Sequence, residues 1–446
     1  MRLTGRLSWR DLGKPRADKA HGKTVEVTGF PVTVLPTPTA EHFLMMAEPG
    51  CCQGCVPNNP LAVIEVIADE PLKIGNGSVR VSGTLCVESD PDGWRYQIHG
   101  AELVPGLSRR ALLAASPLFC VPATAMAQAT DGTAVDTHSH AGNLIRASYS
   151  SRIALLDVAI PMRQGGLSVV CLCIVGDSPI ISSKSGRIRP VREPHLGELY
   201  DFSKVQFAKL HELARTQSMP IVKTAADLRA ARSSNPSVIV TSEGADWLEG
   251  RIERLDEAYQ RWQLRQLQLT HYHPNELGDI QTEPSVHGGL TDFGAEVIRR
   301  CNALGIVVDV AHGTFELVKR AAAATAKPLL LSHTGLGNRP TPWTRLITSD
   351  HARAIASTGG VVGIWLVQTV ASVSSYASGI ARMVDVIGVD HVGIGTDQMG
   401  LLGPSSLPSY ADLPQLAAAL SSHFKPDEIA KLLGGNYRRL FEACVG

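Results

Sequence analysis

From residue 133 onward, short apolar runs alternate with stretches in which apolar residues recur every three or four positions. The runs cover 167–175, 238–242, 267–270, 306–310, 328–332, 360–366 and 391–395, and Val, Ile and Leu dominate them. Such runs predict strands buried on both faces, as in a parallel sheet. Between them the spacing is helical: over 292–304, Phe293, Val297, Ile298, Cys301 and Leu304 follow a 3.6-residue repeat. About eight strand–helix units in about 310 residues predict a (β/α)8 TIM barrel. In that architecture functional residues gather at the C-terminal ends of the strands.

Before residue 105 the pattern differs. Runs at 24–30, 42–46, 62–67 and 79–85, several of them alternating, are broken by Gly, Pro, Asn or Asp. They predict a small β-rich, barrel-like domain of the oligonucleotide/oligosaccharide-fold type. Its turn Cys51-Cys52-Gln53-Gly54-Cys55-Val56-Pro57-Asn58-Asn59-Pro60 resembles that of a small bacterial β domain of unknown function. The expected division is therefore a β-rich domain over 1–105, an apolar linker over 106–130 and a barrel over 131–446.

The linker has a pattern of its own. Ser108-Arg109-Arg110-Ala111-Leu112-Leu113 opens a run of small and apolar residues that ends at Ala125-Met126-Ala127. Twin arginines, an apolar stretch and an A-x-A end make up a bacterial export signal. About a hundred residues precede it, which is unusual for a signal. Three accounts stand: a fused or misassigned start, a membrane anchor through 108–129, or an Ala/Pro-rich linker. Pro117, Pro122 and a length of about 19 residues count against a stable membrane-spanning helix. The expected location is periplasmic or membrane-associated, with a cytoplasmic protein as the alternative.

Composition narrows the class. At 446 residues the chain exceeds one compact core, and 44% hydrophobic with 19% charged residues is ordinary for a globular protein. The formal net charge is +0 and no long basic run occurs, so nucleic acid is not an expected partner. Nine cysteines do not suggest a disulfide scaffold. Cys51, Cys52 and Cys55 have no second pair at zinc-ribbon spacing and read as structural or incidental. Cys171 and Cys173 read as packing residues on opposite faces of a buried strand.

The chemistry sits at the strand ends. His138 and His140, in Asp136-Thr137-His138-Ser139-His140, close the first strand, and residues i and i+2 of a strand share a face. Glu243, His271, His312, His333 and Asp397 each follow an apolar run. Taken singly, each is more often a core, loop or capping residue. Together in a barrel they converge on one mouth. Imidazoles with carboxylates bind Zn²⁺ or a similar divalent ion. The set exceeds what one tetrahedral zinc needs, which favours two ions bridged by a carboxylate. No nucleophile elbow, phosphate-binding loop or zinc-finger Cys pairs compete with this reading.

These residues lie in segments that resemble the membrane (renal) dipeptidases, binuclear zinc peptidases on a (β/α)8 scaffold. The segments are Asp136-Thr137-His138-Ser139-His140, Ser242-Glu243-Gly244-Ala245, Leu269-Thr270-His271-Tyr272-His273, Asn275-Glu276-Leu277-Gly278-Asp279 and Gly288-Gly289-Leu290-Thr291-Asp292-Phe293-Gly294. They continue with Val308-Asp309-Val310-Ala311-His312, Leu331-Ser332-His333-Thr334, Asp390-His391-Val392-Gly393-Ile394-Gly395-Thr396-Asp397 and Leu433-Gly434-Gly435-Asn436-Tyr437. The resemblance covers about 133–444.

The resemblance implies a dipeptidase with two zinc ions per chain and a hydroxide bridging them. It makes His138 a ligand of the first zinc, Glu243 the bridge, and His312 and His333 ligands of the second. His271 would bind substrate and stabilise the oxyanion. Arg339 would pair with the substrate's C-terminal carboxylate, and Asp397 would give a proton to the leaving amine. His273 reads as a loop or outer residue. One departure stands out: many members have His-x-Asp where this chain has His138-Ser139-His140. His140 keeps a ligand there but leaves the site one charge more positive. Ligand histidines must be neutral, so activity is expected to fall below about pH 6. The alternatives are a related amidohydrolase acting on another amide or lactone, and a non-catalytic barrel used as a binding module. The expected partner is a small dipeptide, with a homodimer left open.

Overall fold

The computed structural model describes residues 5–12, 14–32, 39–47, 63–73, 78–87, 96–104, 134–150, 153–184, 187–337, 344–365, 373–400, 407 and 409–446. The cysteine turn at 51–55, the twin-arginine-like linker and Arg339 lie outside the described residues.

The first sheet holds β1 (Gly5–Arg6), β2 (Thr24–Val32), β3 (Thr39–Met46), β4 (Val63–Lys73), β5 (Val79–Val87) and β6 (Tyr96–Leu103). β2, β3 and β4 form an antiparallel meander. β4 then pairs in parallel with β6, β6 antiparallel with β5, and β5 antiparallel with β2. The ring closes, giving the small barrel that the alternating runs predict. Val25, Val27, Ile64, Val66, Val81, Leu85, Tyr96 and Ile98 are buried and fill it. The β6 strand is not evident from the pattern, because His99-Gly100 interrupts its apolar residues.

The second sheet is a closed parallel barrel of eight strands. They are β7 (Ala134–Ser139), β8 (Leu167–Val175), β11 (Ser237–Glu243), β12 (Leu264–Gln268), β13 (Val307–Asp309), β14 (Leu330–Thr334), β15 (Val361–Ile364) and β16 (Val392–Ile394). A hairpin of β9 (Ile181–Lys184) and β10 (Arg187–Pro190) leaves the end of β8. β7, β8 and β11 are buried along their whole length, as doubly covered strands should be. The helix Asp292–Leu304 runs where the 3.6-residue repeat predicts it. Thr291 caps its start by accepting from Gly294 N–H, and Gly305 ends it in the left-handed region, φ 76°.

One strand is displaced from its expected place. The fourth barrel strand is Leu264–Gln268, not 267–270. It carries Arg265, Gln266 and Gln268, all buried, so its polar residues hide it from a hydrophobicity reading. Their N–H groups find acceptors inside the fold: Arg265 Nε donates to Lys223 O at 2.8 Å, Gln266 Nε2 to Thr137 O at 3.1 Å and Gln268 Nε2 to Thr270 O at 2.7 Å. Among the described residues no helix is long and apolar enough to cross a membrane.

Candidate metal centre

The barrel register brings the strand-end residues to one place. Glu243 ends β11, and five imidazoles surround its carboxylate. Oε1 lies 3.4 Å from His138 Nε2, 3.2 Å from His312 Nε2 and 3.3 Å from His333 Nε2. Oε2 lies 3.0 Å from His140 Nε2 and 3.3 Å from His271 Nε2. Asp397 Oδ1 stands 3.7 Å from His138 Nε2 and 3.5 Å from His140 Nε2. All seven side chains are buried. Two of them sit on unusual backbone: His312 and Asp397 have φ of 68° and 48°. Left-handed non-glycine residues cost about 1–3 kcal/mol each and cluster at functional sites.

The imidazoles fall into pairs. His138 Nε2 and His140 Nε2 are 3.2 Å apart, and so are His312 Nε2 and His333 Nε2. Two nitrogens on one tetrahedral zinc, at about 2.0–2.1 Å each, lie roughly 3.3 Å apart. The donor set and its spacing therefore fit two divalent ions with Glu243 between them. The remaining ring nitrogens are held unequally. His138 Nδ1 faces Cys173 Sγ at 3.3 Å and His333 Nδ1 faces Ser332 Oγ at 2.9 Å. His140 Nδ1 and His312 Nδ1 are buried without a hydrogen-bond partner among the described residues.

The charge states of Glu243, His312 and His333 suit cation binding. Burial alone would raise the Glu243 pKa, but the facing His271 and His138 hold it well below the usual carboxylate range. Burial, then the Arg345 guanidinium, pushes His312 well below the ordinary imidazole value; burial, then His138, does the same for His333. Burial also opposes a charge on His138, yet Cys173 and Glu243 outweigh it and raise that pKa. Burial raises Asp397. An ionised Glu243 beside neutral His312 and His333 is the state a divalent ion requires, whereas His138 must give up its proton for an ion to bind there.

His271 differs from the other four. Its Nδ1 is 2.6 Å from Asp177 Oδ1, and Asp177 Oδ2 accepts from Tyr272 N–H at 2.8 Å. Asp177 was legible: it follows the apolar run 167–175 just as the other site residues follow theirs. Arg345 had no such signal. It is buried, with one terminal nitrogen 2.9 Å from His333 Nε2 and the other donating to Gln281 Oε1 at 3.1 Å. It brings a guanidinium to the site, and Arg339 lies outside the described residues. His273 stands apart, its Nδ1 bonded to Asp246 Oδ1 at 2.9 Å.

The reading of the β8 cysteines needs correction. Cys171 and Cys173, two apart, share a face rather than lying on opposite ones. Cys171 Sγ donates to Tyr437 Oη at 3.3 Å, and Cys173 meets both His138 and Thr241 Oγ1. Cys173 thus touches the site and is more than packing.

Comparison with known proteins identifies the family and the fold. A family model described as membrane dipeptidase (peptidase family M19) matches residues 152–445. The match begins beyond β7, so His138 and His140 stand outside it. Dipeptidase aclJ of Aspergillus oryzae is 28% identical over 215 residues, which is 46% of this chain and 50% of that protein. The chain thus spans about half the length of that curated relative. The solved structure of dipeptidase AC, a metallo peptidase, superposes with a TM-score of 0.61 at 22% identity, covering 70% of this chain and 99% of that one. A metallo peptidase from Rhodobacter sphaeroides, liganded with a phosphinate mimic of L-Ala-D-Ala, gives 0.60 at 21% identity, with 70% and 99% covered. At these identities the two structures speak to the fold.

Proposed function

This chain belongs to the membrane dipeptidase family, and we propose that it hydrolyses the peptide bond of dipeptides at a centre of two zinc ions. The observation that carries this is the arrangement around Glu243, with two imidazole pairs 3.2 Å apart beside one carboxylate. His138 and His140 would hold one ion, His312 and His333 the other, with Glu243 shared. Bound there, the ions would acidify a water to the nucleophilic hydroxide and polarise the scissile carbonyl.

The chain's own groups do the rest. His271 Nε2 points into the site while Asp177 fixes its other nitrogen, so it is oriented to donate to the oxyanion as it develops. Burial opposes charge on His271, but Asp177 and Glu243 outweigh it and raise its pKa, which favours a donor there. Asp397 takes the proton that the attacking water loses and returns it to the leaving amine, which its burial-raised pKa supports. Arg345, buried beside His333, offers its planar fork to the substrate's free carboxylate, the task expected of Arg339. That cation favours a peptide with a C-terminal carboxylate over a neutral amide or lactone. The intact donor set speaks against a non-catalytic binding module.

We also keep the 106–130 segment as an export signal between the two domains, with the mature barrel beginning near Ala127 and acting in the periplasm. Mass spectrometry of the native N-terminus tests this, and a native chain beginning at residue 1 contradicts it. The activity is tested with purified protein, using L-Ala-D-Ala and a dipeptide panel beside N-acyl amino acids and lactones. The account expects dipeptide cleavage by wild type, and loss of both zinc and cleavage in Glu243→Ala. Zinc-loaded protein that cleaves no dipeptide would refute it.

A further inference from the structure

Asp136 belongs to the first-strand motif yet has no part in the reaction just described. It is fully buried, and so is Asp309 in β13. The two carboxylates make the same pair of bonds. Asp136 Oδ1 accepts from the N–H of His138, two residues on, at 3.3 Å, and from that of Thr396 at 2.8 Å. Asp309 Oδ1 accepts from the N–H of Ala311, two residues on, at 3.0 Å, and from that of Ser332 at 3.0 Å. One bond of each pair holds the chain at or just before a site histidine, His138 within β7 and His312 three residues past the end of β13. The other holds the residue just before a site residue on the neighbouring strand: Thr396 precedes Asp397, and Ser332 precedes His333.

These bonds lie at the seams where the barrel ladder is thinnest. Among the described residues, β16 and β7 pair within their strands at Ile394 and Asp136, with one further bridge from Ser139 to Gln398 beyond β16, and β13 and β14 pair at Asp309 and Leu330. By contrast, β11 and β8 pair along all of Ser237–Glu243. Backbone bonds continue these seams: Asp397 N–H to His138 O and His140 N–H to Gln398 O on one, Val310 N–H to Leu330 O on the other. Beyond them the chain turns into the left-handed residues His312 and Asp397. Buried N–H groups at such turns need acceptors, and one carboxylate oxygen can take two. The second oxygens are anchored as well. Asp136 Oδ2 accepts from Thr396 Oγ1 and from Tyr410 Oη at 2.7 Å; Asp309 Oδ2 accepts from Gln266 Nε2 at 3.5 Å.

We propose that Asp136 and Asp309 are positioning residues, each fixing one half of the metal centre. Asp136 sets His138, His140 and Asp397; Asp309 sets His312 and His333. The inference rests on the two-metal reading above. It assigns the effect to the acceptor oxygen, not to the charge, so asparagine should replace aspartate and alanine should not.

The test uses the full chain with Ala and Asn at each position. Zinc is counted by native mass spectrometry, its affinity read by chelator competition, and folding checked by circular dichroism. Wild type should hold two zinc ions. Asp136→Ala should bind one of them at least about tenfold more weakly, as loss of a buried hydrogen bond implies. Adding His333→Ala should then remove the ion that remains, whereas adding His138→Ala should not. Asp309→Ala should show the mirror-image result. The Asn variants should stay within about threefold of wild type, since the acceptor survives. Folded Ala variants that keep both ions at wild-type affinity overturn the inference. Asn variants that lose as much as Ala also overturn it, because charge would then be the cause. Should the Ala variants not fold, Thr396→Val removes one donor to Asp136, together with the acceptor of Gln398 N–H, and leaves Asp309 untouched. It should weaken only the first ion, and unchanged affinity for both overturns the proposal. A wild-type chain that takes up no zinc overturns the two-metal reading and this inference with it. Failure of half-selectivity in zinc-loaded protein overturns this inference alone.

Discussion

The Arg345 guanidinium is buried against His333 and Gln281, with the Trp365 ring 5.5 Å away. A buried cation at that place is useful if an anion arrives, and a dipeptide brings one. Replacing it with lysine keeps the charge but loses the fork, which removes a charge-assisted bond worth about 1.5–3 kcal/mol. Arg345→Lys should therefore raise KM for a dipeptide by roughly 10- to 100-fold, with a smaller change in kcat and unchanged zinc content. An unaltered KM would remove Arg345 from the binding role. His273 gives a second test at this scale. Burial opposes its charge, but its bond to buried Asp246 outweighs that and lifts its pKa to about 9. A folded-state pKa above the unfolded value of about 6.5 stabilises the protein fully below that pH and is lost as pH rises through about 9. The melting temperature should therefore fall between pH 7 and pH 10 in wild type, and fall less in His273→Gln. Equal slopes in the two proteins would show that the pair contributes nothing.

Among the elements, the last two barrel strands show how tightly the interior closes. A Cβ on Gly363 in β15 would lie 1.8 Å from Ser332 O, and one on Gly395, just after β16, 1.9 Å from the same atom. Gly393, within β16, would meet nothing nearer than Val361 Cγ1 at 3.3 Å. Backbone cannot yield as a side chain can, so Gly363→Ala should destabilise by about 3 kcal/mol or more and Gly393→Ala by under about 1 kcal/mol. Urea unfolding measures both, and similar midpoints would contradict the packing described. The same strands explain what a sequence reveals. Apolar runs exposed β8, β11 and β16, because burial on both faces demands such residues. Gln266 and Gln268 hid β12, because the barrel interior takes up their amide N–H groups through Thr137, Asp309 and Thr270. Strand-end logic found Glu243 and the six residues around it but passed over Asp177, which obeys the same rule. Arg345 was invisible to that logic. It lies in the stretch after Thr334, and only the fold carries it back to His333.

For the whole molecule, two closed sheets with separate cores account for the change of pattern near residue 105. The pairing of β4 with β6 and of β5 with β2 is not written in any local run, since it depends on closure of the ring. The barrel is better signposted, because parallel strands need intervening helices and each helix shows its period. What the barrel builds is a single buried cluster in which five imidazoles share one carboxylate. The claim that this cluster works as a two-zinc dipeptidase is tested most directly by titrating metal-free protein with zinc while following dipeptide hydrolysis. The account predicts activity that rises with zinc and levels off at two equivalents per chain. A plateau at one equivalent, or no hydrolysis at saturation, would contradict it.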